Sequence, residues 1–197
     1  THLARLLSVA DPVSSAWLDV LPTRPSLLLS DGDVVASSRF RLGICPGPAH
    51  PPSSRHVLCA CGDLLTGSAF DHAMVCPAMP GAWICRHNLV QYAWRDLGQA
   101  AGYSTAIEAS TRHLATHAVP LGAQGHFQRG DVLFVKDDIL LGDVAVVHPG
   151  QASMGARPST IPGHAAERVS ALKTRKHAAP GFTFVPLVME TYGHLGW

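Results

Sequence analysis

The chain has 197 residues, of which 47% are hydrophobic and 15% charged, and its formal net charge is +1. That composition excludes a disordered chain and supplies one real core with room for a small satellite module. No apolar run reaches the roughly 18 residues of a membrane span, no secretory leader is visible, and no global charge excess announces a polyanionic partner.

Thr1 to Ala10 patterns as a short amphipathic helix. Starting at a Thr, the chain reads as a piece excised from a longer polypeptide. Trp17-Leu18-Asp19-Val20-Leu21-Pro22 follows, then a strand or helix around Asp33–Leu42. The four prolines between Pro46 and Ser54 read as a linker. Residues 1–55 are therefore expected to be a helical or linker segment, 56–80 a small knuckle, and 81–197 the main core.

The knuckle is Cys59-Ala-Cys61-Gly62, followed by His72 and Cys76. Thiolate and imidazole are the ligands zinc prefers, and four of them close a tetrahedral structural site. Gly62 allows the tight turn such a knuckle needs. Five cysteines is an odd number and three fall in this cluster, which points to metal ligation in a reducing intracellular compartment, not to a disulfide framework. Cys85 is the reserve ligand and reads more simply as a buried residue in the first turn of the next helix.

Trp83 to Ala101 carries the clearest helical signal. Val90, Ala93, Trp94, Leu97 and Ala101 recur at helical spacing, and Gly102 is the stop. Tyr103 to Ala109 is a candidate strand bearing Glu108. Asp131 to Val135 and Ile139 to His148 are two strands joined at Lys136-Asp137-Asp138 as a hairpin. Residues 149–162 form a loop. His164 to His177 is a helix with Ala165, Val169 and Leu172 on one face, and Phe182 to Met189 is a last strand. From residue 83 the order is helix, three strands, helix, strand, which makes the core α+β or α/β.

Asp131 opens one hairpin strand and Asp143 sits inside the other, so antiparallel pairing can set the two carboxylates side by side. An acid in Leu141-Gly142-Asp143-Val144-Ala145 is costly to bury unless it binds something. Two convergent carboxylates suit Mg²⁺ together with waters and phosphate oxygens. Strand-end Asp residues also form turns, so the structural reading stands beside the functional one. Lys173 and Lys176 are two of only three lysines, and Glu108 and Glu190 two of only three glutamates. A lysine beside such a metal can orient water or offset phosphate charge. Arg168, Lys173, Arg175, Lys176 and His177 form the densest basic cluster, which is equally what a solvated helix face looks like. Asp137 and Asp138 mimic a polymerase palm hairpin but read as a solvated turn. His113 and His117 have metal-pair spacing without the Glu of a zincin motif. Arg129-Gly130-Asp131 matches an adhesion tripeptide by chance.

Taken in order, these pieces resemble the restriction-like endonuclease region that follows the reverse transcriptase in site-specific non-LTR retrotransposons. The resemblance runs through nearly the whole chain. It comprises Trp17-Leu18 to Arg41-Leu42-Gly43, the Cys59/Cys61/His72/Cys76 knuckle, and Arg86-His87-Asn88. It continues with Glu108, Asp131, Asp143, Lys173-x-x-Lys176, and Pro186 to Gly193. It implies a PD-(D/E)XK core of helix, three strands, helix and strand, preceded by a CCHC zinc knuckle. It implies a nuclear, Mg²⁺-dependent endonuclease that nicks double-stranded DNA and leaves a 3′-hydroxyl to prime reverse transcription of the element's RNA. Asp131 and Asp143 would hold the metal with help from Glu108. Lys173 would position the nucleophile, with Lys176 in reserve. Arg86 and His87 would grip phosphate, as would Arg168 and Arg175. The alternative is a zinc-stabilised nucleic-acid-binding module whose nuclease has decayed. Three positions depart from the family pattern: Gly130 precedes the first acid where Pro is common, Val144-Ala145 lacks the in-strand Lys, and His177 stands where Tyr is common.

Overall fold

A computed structural model describes residues 2–19, 25, 28–44, 58–65, 70–109, 129–177 and 182–196. The Pro46–Ser54 linker and the His113/His117 pair lie outside the described residues. The elements, in chain order, are α1 (His2–Val9), α2 (Pro12–Ser15), α3 (Asp31–Leu42), α4 (Phe70–Ala73), α5 (Pro80–Ala100), β1 (Ser104–Ile107), β2 (Val132–Val135), β3 (Ile139–Val147), α6 (His164–His177), β4 (Thr183–Glu190) and β5 (Leu195–Gly196). They form two compact units. One gathers Thr1–Trp83, His148–Ala165 and Glu190–His194, and the other Ile84–Val147, Ala166–Met189 and Leu195–Trp197.

The first unit is built from short helices fixed by their caps. Ser30 and Asp33 form a reciprocal capping box at the start of α3, which selects helix over strand for this segment. Gly43 ends α3 at φ 75°, and a Cβ there would fall 1.6 Å from Arg5 Nη1. Glycine is therefore required twice, by conformation and by space. Arg5 is 1% exposed and donates to Asp71 Oδ2 at 2.7 Å, while Tyr192 donates its hydroxyl to Asp71 Oδ1 at 2.6 Å. Arg41 reaches three backbone carbonyls, those of Val9, Ser14 and Tyr192. Buried charge is tolerated here because the Arg5 guanidinium and the Asp71 carboxylate meet each other, and Tyr192 takes the second carboxylate oxygen. Burial and the neighbouring Asp71 carboxylate hold the Tyr192 phenol well above its usual range.

The second unit is a five-stranded mixed sheet in the order β1-β2-β3-β4-β5, so the fold is mixed α and β. β1 pairs antiparallel with β2, with Ser104 opposite Val135, and β2 with β3, with Val132 opposite Gly142. The connection from β3 to its neighbour β4 passes through α6, the crossover that parallel neighbours need. β5 adds two residues antiparallel to β4, with Met189 opposite Leu195. Side chains alternate across each strand. Val132, Phe134, Val144 and Leu187 form the core on one face, where Val90 and Trp94 of α5 cover them. Gly98 lets α5 approach, since a Cβ there would lie 2.5 Å from the Phe134 ring. On the opposite face, α6 lies close enough that a Cβ on Gly196 would meet Ser170 Oγ at 2.6 Å and the Ala166 carbonyl at 2.8 Å.

Several expectations change in detail. α5 begins at Pro80, inside the segment expected to be knuckle and before the expected start at Trp83, in keeping with proline's preference for the first helical turn. Cys85 is exposed in the second turn. The packed face of α6 runs through Ala166, Ser170, Lys173 and His177, because small residues are what the close approach to Gly196 admits, and Leu172 is left exposed. The 149–162 loop contains two short 3-10 turns, Ala152–Met154 and Arg157–Ser159. Asp137 and Asp138 lie exposed in the hairpin turn. Glu190 is 1% exposed and accepts from the Ala165 backbone N–H at 3.1 Å, so it serves the first turn of α6.

Candidate active site and metal centre

The knuckle is a small backbone-held device. Cys59 N–H donates to the Asp63 carbonyl at 2.7 Å, Gly62 N–H returns to the Cys59 carbonyl at 2.9 Å, and Leu58 bridges Leu64. Gly62 takes φ 94°, the left-handed conformation that closes the turn. α4 then carries His72 back over the turn, and Cys76 follows on a further turn. Cys61 Sγ lies 3.1 Å from His72 Nε2, and the donor atoms of Cys59, Cys61, His72 and Cys76 are all within 4.8 Å of one another. Ligands about 2.0–2.3 Å from a tetrahedral zinc stand roughly 3.5–3.8 Å apart, so the set fits. Cys59 and Cys76 are buried with Leu65, Ala73 and Met79 around them, and Cys61 is exposed.

The thiols differ in how readily they ionise. The Cys61 backbone N–H draws Cys59 down to about 7. Cys61 is favoured as a thiolate by the Asp63 N–H, yet local desolvation by the packed cluster and the neighbouring Cys76 and Cys59 thiols push it up to about 11. One negative charge is accommodated readily, and further ones are opposed unless a divalent cation neutralises them. The Cys59/Cys61/His72/Cys76 cluster can bind a metal such as zinc.

In the sheet unit, α5 presents His87 and Gln91 one helical turn apart toward the start of β2. Gln91 is 2% exposed and donates to the Asp131 carbonyl at 2.8 Å and to Glu108 Oε1 at 3.2 Å. Glu108 N–H also donates to the Asp131 carbonyl at 2.9 Å. Glu108 sits just beyond β1 at φ 54°, the one non-glycine residue with positive φ among those described. Such a conformation costs on the order of 1 kcal/mol and survives only where its surroundings impose it. Here Gln91 and the Asp131 backbone do so, and Arg129 adds an ion pair to the Glu108 carboxylate.

Asp131 and Asp143 come one step beyond the Val132–Gly142 rung. Asp131 Oδ2 accepts the Val144 backbone N–H at 2.6 Å, which extends the ladder one step before β2 begins. The two carboxylates interact directly. Burial and Asp143 push Asp131 above the usual carboxylate range. Burial would raise Asp143 too, but the Lys173 ammonium, aided by Asp131 and His177, brings it below that range. Lys173 Nζ is 2.6 Å from Asp143 Oδ2, and His177 Nε2 is 3.4 Å from the same oxygen. His177 stacks on Phe184 at 4.8 Å. Burial, with Lys176 and Lys173 nearby, lowers the His177 pKa, although Asp143 opposes this.

The site thus brings together Asp131, Asp143, Lys173, His177 and His87, with Glu108 held beside Asp131. Lys176, Arg168 and Arg175 are exposed on α6, and the Lys176 charge reaches His177. Arg86 is half-buried on α5, and burial lowers its pKa. Sequence reasoning missed Gln91 and the Arg129–Glu108 pair. Gln91 lies at i+4 from His87, which was the available signal. Gly130 has a packing reason of its own, because a Cβ there would lie 2.4 Å from Leu141 Cδ1. Compared with known proteins, the chain matches no family model and no curated protein.

Proposed function

We propose that this chain is a Mg²⁺-dependent DNA endonuclease with a PD-(D/E)XK-type core and a structural zinc knuckle. The observation that carries the reading is the Lys173 ammonium seated 2.6 Å from Asp143, itself in contact with Asp131. Two acids can hold a divalent cation, and a lysine beside them can offset phosphate charge, which are the parts that metal-assisted phosphodiester hydrolysis uses. The order of helix, three strands, crossover helix and a fourth strand beside the third supports the same reading.

Asp131 and Asp143 would be the residues to hold Mg²⁺, whose chemistry there would be a water of lowered pKa and charge neutralisation at the scissile phosphate. The chain's own groups prepare that position. Val144 N–H fixes one oxygen of Asp131, and Gln91 fixes the backbone carrying it. Lys173 keeps Asp143 ionised and is placed to turn its ammonium toward an incoming phosphate or water. Arg168, Arg175 and Lys176 give α6 a basic exposed surface suited to phosphate contacts, which position a duplex without reading its bases. By family resemblance, the product is a 3′-hydroxyl that primes reverse transcription of an element RNA by the reverse transcriptase region of the same polypeptide, in the nucleus.

The test is nicking of supercoiled plasmid with Mg²⁺. The wild type should yield open circles that a polymerase extends without end repair, and Asp143→Asn should yield none. Salt-sensitive binding of duplex DNA by a zinc-loaded, folded protein that never nicks would favour the decayed binding module. Full cleavage by Asp143→Asn would end the nuclease reading.

A further inference from the structure

We infer that Asp71 is the positioning residue for the His72 ligand, and that through it metal binding at the knuckle and the docking of α1 form one coupled equilibrium. The inference rests on the metal reading of Cys59, Cys61, His72 and Cys76 and is independent of the nuclease. The three cysteines are set by turns within the knuckle itself. His72 is different, because it comes from α4, a helix of four residues. A single turn does not hold itself, since ordering its residues costs more than one hydrogen bond returns. Its support lies on both neighbours of His72. Ala73 packs on the cluster of Cys59, Leu65 and Cys76. Consecutive helical residues project roughly 100° apart, so Asp71 leaves α4 in another direction, and it is buried. Its Oδ2 accepts from Arg5 Nη2 at 2.7 Å and its Oδ1 from the Tyr192 hydroxyl at 2.6 Å.

The two donors are themselves fixed. The Arg5 guanidinium lies 5.5 Å over the Tyr192 ring, fills the space where a Cβ on Gly43 would stand, and has Nη1 at 3.1 Å from His2 Nδ1. Tyr192 packs against the rings of Phe40, at 5.1 Å, and His148, at 5.5 Å. Helices α1 and α3 and the turn after β4 thus converge on one carboxylate, one residue before a ligand. Moving α1 away strands Asp71 and releases α4, and His72 with it. Three thiolates without the imidazole leave the tetrahedron incomplete. Such coupling is reciprocal: the factor by which undocking of α1 weakens the metal is the factor by which the metal suppresses undocking. The knuckle is therefore not a free-standing module, and zinc ties the first unit together through α4.

The experiment titrates the reduced full chain with Zn²⁺ against a chromophoric chelator, and with Co²⁺ read by visible absorption. The Co²⁺ form of the wild type should show the intense bands of a tetrahedral ion with three thiolates and one imidazole. Tyr192→Phe keeps the ring and removes one donor to Asp71, and it should weaken zinc roughly two- to tenfold. Arg5→Met removes the other donor. It should weaken zinc roughly 10–100-fold, the usual range for a group that orients a ligand, and dim the Co²⁺ bands. Ser30→Ala opens the exposed capping box of α3 without touching Asp71. It should lower stability and leave zinc affinity and the bands unchanged. In the wild type, zinc should slow amide exchange across α1 roughly tenfold or more. Equal zinc affinity in wild type, Tyr192→Phe and Arg5→Met overturns the inference and leaves the metal site standing, as does exchange across α1 that ignores zinc. Zinc weakened as much by Ser30→Ala as by Tyr192→Phe also overturns it, since general stability would then be the cause. A wild type that binds no zinc overturns the inference and the metal site together. Should Arg5→Met fail to fold, the Tyr192→Phe affinity and the α1 exchange decide.

Discussion

Replacing Lys173 by Met keeps the bulk of the stem and deletes its charge. The ammonium lies 2.6 Å from Asp143, with side chains 20% and 18% exposed, so the pair is neither a surface bridge nor a fully buried one. Exposed pairs contribute up to about 1 kcal/mol and breaking buried ones costs about 3–5 kcal/mol. An intermediate loss of about 2 kcal/mol is expected, part of it from Asp131 and Asp143 now facing each other unscreened. For a chain of this length that corresponds to a melting point lower by about 4–8 °C at pH 7. The pH dependence follows from the direction of the shift. Asp143 is depressed in the folded state, so its contribution is complete above the unfolded carboxylate value near 4 and fades as pH falls through its lower folded value. Asp131 is raised, so it acts in the opposite sense, its cost easing as pH falls. The gap between wild type and Lys173→Met should therefore narrow steadily below about pH 4. Adding Asp143→Asn should recover most of the loss at pH 7. Melting curves across pH measure both. A gap that stays constant down to pH 3, or a double variant no better than the single, would refute the ion pair as the cause.

The purified chain should carry about one equivalent of zinc, and a strong chelator should unfold the 58–79 segment first, as measured by metal analysis and amide exchange. Arg5→Met strands the Asp71 carboxylate inside the first unit and should cost about 3–5 kcal/mol in denaturant unfolding, with Asp71→Asn restoring part of it. Gly98→Ala places a methyl 2.5 Å from the Phe134 ring and should cost about 1–3 kcal/mol by the same measurement.

Much of the second unit was legible because its elements are periodic and long. The helix expected over Trp83 to Ala101 is α5, and the one expected over His164 to His177 is α6 at the same residues. The hairpin was readable from apolar runs on either side of a charged turn. β5 was not, because two residues carry no period and Leu195–Gly196 is a strand only by pairing with β4. The first unit was opaque for a different reason. Its centre is Arg5, Asp71 and Tyr192, residues 66 and 121 positions apart. No local pattern marks a charge for burial when its partner is so distant in sequence. The Cys59/Cys61/His72/Cys76 cluster was legible because its spacing is the signal. Gln91 was passed over because a lone amide on a helix usually faces water, and its value appears only once Glu108 and the Asp131 carbonyl are beside it.

The lysine question has a packing answer. Side chains at 143 and 145 share a face of β3, and that face is covered by α6. A lysine at 145 would stand beside Asp143 and compete with Lys173 for one carboxylate. Ala145 leaves the position to the helix. The helix can supply it because Ala166 and Ser170 are small enough to bring its axis down against Gly196. From there the packed face passes through position 173 and on to His177, which stacks on Phe184 and stops the helix from rolling. Lys176 lies off that line and is exposed. That Lys173 and not Lys176 pairs with Asp143 is therefore a consequence of two small residues and one glycine. The same close approach brings His177 to the site: its ring stacks on Phe184 and its Nε2 lies 3.4 Å from the Asp143 carboxylate.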